Sequence, residues 1–112
     1  MNYKQIFLVM ILVLSVFSIS KIRFLDMMPG DGLEVFTSVM YSGSNDIDDV
    51  RVIAYMPEIG EIIRSNSFDM DKRDSYGKVM LWNGIPEGEY LVRISASNDE
   101  HRSVKYRYVT IG

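Results

Sequence analysis

The sequence predicts an all-β fold, a two-layer antiparallel sandwich of about seven strands preceded by one N-terminal hydrophobic helix. Two observations carry that expectation. Apolar residues alternate with polar ones at period two in segment after segment, and clusters of Gly, Pro, Asn and Asp separate those segments. After residue 20 no stretch keeps a helical period for long. With 112 residues the chain holds one domain and a modest core.

The N-terminal element comes first. Ile6–Ile19 is almost wholly apolar, interrupted by Ser15 and Ser18. Lys4 precedes it, and Ser18-Ile19-Ser20 closes it with a small-x-small pattern, which reads as a secretion signal cut near Ser20. An uncleaved anchor is the alternative. The 16 residues between Lys4 and Lys21 would make about 24 Å of helix against a hydrocarbon core of about 30 Å. Two positive groups on each side leave the orientation open. Residues 1–20 are therefore a signal peptide or membrane anchor, and 21–112 the folded domain. The protein is expected to be secreted or membrane-anchored, touching membrane only through residues 1–20 if these are kept.

The strands follow in order. Ile22–Met27 ends at the turn Pro29-Gly30-Asp31-Gly32. Leu33–Tyr41 alternates, with Leu33, Val35, Thr37, Val39 and Tyr41 on one face, and Ser42–Asp49 is a small, acidic loop. Val50–Met56 turns Val50, Val52, Ala54 and Met56 inward. Pro57 and Gly60 break the chain before Glu61–Met70, a less regular strand. Asp71–Asp74 turns again, Ser75–Trp82 is the fifth strand, and Glu89–Ser97 the sixth. The loop Asn98–Arg102 leads to the last strand, Ser103–Ile111, with Val104, Tyr106 and Tyr108 expected inward. A closed eight-stranded barrel is one strand too many for this count. No repeat at a fixed period appears, which excludes solenoids and propellers.

The corner before the sixth strand narrows the sandwich further. Pro86-Glu87-Gly88-Glu89 leads directly into Tyr90. A tyrosine at this place in immunoglobulin-like sandwiches bonds its hydroxyl back to upstream backbone and pins the crossover between sheets. Tyr90 is expected to do so near Ile85–Glu87, a structural role. Trp82, closing the fifth strand, is expected to anchor the core or its rim. "PGDGLEVFTSVMYSGSNDIDDVRVIAYMPE" followed by "PEGEYLVRISASND" resembles the small immunoglobulin-like, cell-adhesion-related (CARDB-like) domains of archaeal and bacterial surface proteins. The resemblance spans residues 22–112. It implies an immunoglobulin-like fold, an extracytoplasmic location and a role in adhesion or surface assembly, and it carries over no catalytic residue.

The residues themselves offer little to an enzyme. There is no cysteine, so neither disulfides nor thiolate metal sites exist. The single histidine, His101, lies in a polar loop without a second ligand at metal spacing. No serine sits in a Gly-x-Ser-x-Gly elbow or a Ser-x-x-Lys motif, and no phosphate-cradling glycine loop occurs. No cofactor is expected. Asp46, Asp48 and Asp49 are weak calcium candidates, since Asp and Asn also favour plain turns. Residues 1–20 contain one lysine and no acid, so the remainder has 11 basic and 15 acidic side chains, a net of −4. Such a surface has no general attraction for nucleic acid.

What remains is a surface. By strand count the third, sixth and seventh strands share a sheet. Its outward residues would be Arg51, Ile53 and Tyr55, then Leu91, Arg93 and Ser95, then Lys105, Arg107 and Val109. Arginine and tyrosine over aliphatics is the composition of a docking face, although arginine stems also cover aliphatics on plain solvated faces. The expectation is a non-enzymatic, exported module binding a surface protein or glycan. The alternative is a self-associating filament or coat subunit built by β-strand addition at the last strand.

Overall fold

The computed structural model describes residues 16–26 and 32–112. Eight strands run in chain order among the described residues: β1 (Val16–Asp26), β2 (Leu33–Ser42), β3 (Ile47–Met56), β4 (Glu61–Arg64), β5 (Phe68–Met70), β6 (Asp74–Trp82), β7 (Gly88–Ser97) and β8 (Arg102–Ile111). They form two antiparallel sheets, β1-β2-β6 and β4-β3-β7-β8, with β5 also paired to β3. No helix among the described residues is long and apolar enough to cross a membrane.

The alternation in the sequence becomes the core. Leu33, Val35, Thr37, Val39 and Tyr41 of β2 are buried, as are Val50, Val52, Ala54 and Met56 of β3 and Tyr90, Val92, Ile94 and Ala96 of β7. Two sheets facing each other with period-two residues between them exclude water from both inner faces. Trp82 lies within this core at 2% exposure. Two buried polar atoms, Thr37 Oγ1 and Trp82 Nε1, have no hydrogen-bond partner among the described residues.

The corner is built as the sequence predicts. Tyr90 donates its hydroxyl to the Pro86 carbonyl at 2.9 Å. Gly88 sits beneath the ring, where an added Cβ would stand 3.2 Å from the Tyr90 hydroxyl oxygen. The absence of a side chain there lets the ring lie against its own strand's entry.

Four expectations need correction. Val16–Ser20 is the first half of a strand, not the end of a helix, so β1 runs straight through the expected boundary between residues 20 and 21. Residues 1–15 and the Pro29-Gly30-Asp31 turn lie outside the described residues. The loop after β2 is shorter than Ser42–Asp49, because Ile47 pairs with Met70 and is buried. A bulge between Ile47 and Val50, with Asp49 at φ 58°, had disguised the start of β3. Glu61–Met70 is two strands rather than one. Between them Ser65 keeps the ladder on β3, accepting the Val52 N–H at 2.9 Å through Oγ and donating its own N–H to the Val52 carbonyl at 2.8 Å.

The fourth correction concerns β8. Paired residues in an antiparallel ladder point to the same side. Lys105 pairs with Ile94 and Arg107 with Val92, both core residues, whereas Tyr106 pairs with Arg93 and Tyr108 with Leu91. The tyrosines face outward, at 54% and 72% exposure, and Val109 is buried. Among the described residues β8 is an edge strand of the larger sheet, and the smaller sheet has three strands to cover it. Lys105 and Arg107 therefore occupy inner-face positions at a margin where water still reaches them.

Candidate functional site

The outer face of the larger sheet is read in rows across the strands, because each row is a set of register partners. The first row is Arg51, Ser97 and Arg102, on β3, β7 and β8. The second is Arg64, Ile53, Ser95 and Val104, starting from β4. The third is Ile62, Tyr55, Arg93 and Tyr106, and Leu91 with Tyr108 lies beyond it. Four guanidinium groups and three phenol rings thus share one face of an acidic protein.

Side-chain size shapes that face. Ser95 and Ser97 place small side chains on β7 between longer neighbours on β3 and β8. A shallow depression of about 440 Å³ opens over them, walled by Tyr55, Ile62, Arg93 and Arg102. Ser95 itself is 7% exposed. The floor offers hydroxyls and the walls offer planar cations and an aromatic ring. Guanidinium groups bind carboxylate and other oxyanions through paired N–H donors. Among the described residues no carboxylate lies within ion-pair distance of Arg51, Arg64, Arg93 or Arg102. Glu58, in the turn between β3 and β4, accepts the backbone N–H of Leu91 at 3.2 Å.

Of the residues expected on this face, Arg51, Ile53, Tyr55, Leu91 and Arg93 are brought together. Lys105 and Arg107 are not, for the reason given above, and Arg107 donates to its neighbour's carbonyl, Tyr106 O, at 2.8 Å. Arg64, Ile62, Arg102, Tyr106 and Tyr108 join in their place. In sequence Arg102 ends the loop Asn98–Arg102 and the irregular Glu61–Met70 stretch does not fix its own pairing, so neither Arg102 nor β4 can be placed on a face from sequence. The tyrosine pair was visible as an alternation, but its phase was not.

Asp46, Asp48, Asp49 and His101 make local contacts. Asp46 Oδ1 accepts the Lys72 N–H at 3.1 Å, and the Asp49 N–H donates to Asp69 Oδ1 at 3.2 Å, which ties the two acidic loops together. Asp48 offers its carbonyl to Asn98 Nδ2. No group of three or more His, Asp or Glu side chains is positioned to hold a metal ion among the described residues. His101 packs between the rings of Phe17 and Tyr41, with centroids 5.5 and 5.4 Å away. Its backbone N–H donates to Asn98 Oδ1 at 2.7 Å, part of the hairpin turn between β7 and β8.

A second exposed surface lies on the outside of the smaller sheet. Leu25, Val79 and Leu81 are each about half exposed or more, and Arg23 stacks over the Phe36 ring at 5.4 Å. Gly77 gives the Phe36 ring room, since an added Cβ would come within 3.0 Å of it. Comparison with family models, curated proteins and solved structures finds no match to this chain.

Proposed function

We propose that this chain is an exported, non-enzymatic, immunoglobulin-like module that docks to an acidic surface protein or glycan of the cell envelope. The docking face is the outside of the β4-β3-β7-β8 sheet. The immunoglobulin-like assignment draws on the strand order, with the third, seventh and eighth strands adjacent in one sheet, and on the tyrosine corner at Tyr90. One observation carries the function. Four arginines with no ion-pair partner among the described residues stand among tyrosines and aliphatics on a single face of a protein whose net charge is −3. Unneutralised cations gathered on one face of an acidic molecule steer an anionic partner to that face. Tyrosine and arginine together are also the side chains that carry most of the energy at binding surfaces.

The test uses purified protein and isolated envelopes of the cell that makes it. Wild-type protein binds them saturably, and Arg93→Glu with Arg102→Glu weakens binding at least tenfold while the melting temperature stays within a few degrees. Val79→Glu, on the opposite sheet, leaves binding unchanged. Protease treatment of the envelopes removes binding if the partner is protein, and glycosidase treatment removes it if the partner is glycan. Equal binding by the arginine double variant would sink the assignment of this face.

A further inference from the structure

Along β7, Arg93, Ser95 and Ser97 occupy every second position of the outer face, about 7 Å apart. Longer side chains flank the two serines, which form the floor of the depression of about 440 Å³. Ser95 is 7% exposed and lines that depression. Among the described residues neither its hydroxyl nor that of Ser97 makes a hydrogen bond. Other strand serines use theirs. Ser20 Oγ donates to the Ser38 carbonyl at 3.2 Å, Ser65 Oγ accepts the Val52 N–H at 2.9 Å, and Ser103 Oγ accepts the Ile19 N–H at 3.0 Å. A buried hydroxyl left without a partner costs stability, and an arriving hydrogen-bonding group recovers it.

Arg93 repeats the pattern with a charge. It is half buried between its register partners Tyr55 and Tyr106, and nothing among the described residues engages its guanidinium. Arg102 stands exposed at the other end of the floor, beside Ser97. Four residues of strand separate the two ends, about 14 Å. A single carboxylate does not reach both cations, whereas an extended anion with acid groups at intervals does.

We propose that the depression over Ser95 and Ser97 binds a hexuronate unit of an acidic polysaccharide. Arg93 holds its carboxylate, and Arg102 takes the carboxylate of a further unit along the chain. This rests on the docking reading of the same face and selects glycan over protein. The lining asks for three features in one compact group. The guanidinium fork takes a carboxylate, the serine floor takes hydroxyls, and Tyr55 and Ile62 take a flat apolar surface. A uronate ring carries all three: a carboxyl at one edge, hydroxyls around its rim and C–H bonds on its faces. An aspartate or glutamate side chain brings no hydroxyl for Ser95, and a phosphate or sulfate has no apolar face. A volume of about 440 Å³ is at the small end of the range for ligand sites, about 300–1,000 Å³, which suits one ring and part of the next.

Isothermal titration of the full chain with tetragalacturonate tests this, beside its carboxyl-reduced neutral counterpart and tetraglutamate. Tetragalacturonate should bind, and the other two at least tenfold more weakly. Ser95→Ala removes an oxygen that bonds nothing among the described residues, so the melting temperature holds while affinity for tetragalacturonate falls about fivefold. Ser97→Phe fills the depression and abolishes binding. Affinity unchanged in both variants, or tetraglutamate binding as tightly, overturns the hexuronate site. Competition on isolated envelopes separates this from the docking reading. Tetragalacturonate should displace the wild-type chain. Envelope binding that needs Arg93 and Arg102 but resists tetragalacturonate overturns the hexuronate and leaves the docking face standing. Envelope binding indifferent to Arg93→Glu with Arg102→Glu overturns the face itself.

Discussion

At the scale of single residues, the tyrosine corner is the most exposed to a clean test. Tyr90 is 8% exposed, and its hydroxyl reaches the Pro86 carbonyl at 2.9 Å, with Glu87 O at 3.4 Å as a weaker second acceptor. Tyr90→Phe keeps the ring and its packing and removes the donor alone. Since Pro86 is exposed, its carbonyl can take a water in exchange, so the loss is that of an ordinary hydrogen bond, about 1 kcal/mol. Urea denaturation should show a lower midpoint with an unchanged slope, because the surface exposed on unfolding stays the same. An unchanged midpoint would mean that the ring alone fixes the crossover. His101 shows the other side of residue-scale reading. As the one histidine it packs against the Phe17 and Tyr41 rings, and its backbone N–H helps close the turn between β7 and β8.

At the scale of elements, the sequence is legible where a strand is covered on one face along its whole length. In β2, β3 and β7 one side of every alternation meets the opposite sheet, so period and phase coincide with burial. β8 has the same period but sits at a margin, and there hydrophobicity does not decide the phase. Its register on β7 does, and it turns Tyr106 and Tyr108 out. β1 was obscured differently. Val16–Ile19 reads in sequence as part of the apolar run Ile6–Ile19, and composition alone does not tell a buried strand from other apolar runs. The burial of that strand has an energetic signature. Ile19 is fully enclosed, so Ile19→Ala removes buried methyl groups and leaves a cavity, with an expected cost of about 2–4 kcal/mol. Val16→Ala, at the exposed end of the same strand, should cost within about 0.5 kcal/mol. Denaturation of both variants checks the difference, and equal small effects would mean that β1 contributes to stability only beyond its bulge.

At the scale of the whole molecule, the proposed docking face is a grid whose geometry decides which side chains would act together. Arg93 and Tyr106 are register partners on adjacent strands, with Tyr55 on the other flank of Arg93. Truncating any one of these changes how the others are packed and solvated. Arg64 on β4 and Arg102 on β8 stand at opposite edges of the same sheet, three strand spacings or about 14 Å apart. Residues that far apart with no shared partner contribute independently, whereas neighbours in contact do not. Envelope binding by alanine variants should therefore divide in two. Arg64→Ala and Arg102→Ala should combine additively within about 0.5 kcal/mol, and Arg93→Ala with Tyr106→Ala should depart from additivity by more than that. The sign of the departure is informative. A double loss smaller than the sum means that the guanidinium and the ring grip one group of the partner together, which is how a compact anionic site on a shallow depression would be held. Additivity at both pairs would mean that the arginines act only as a diffuse field, and the partner would then be attracted to the face without being seated over Ser95 and Ser97.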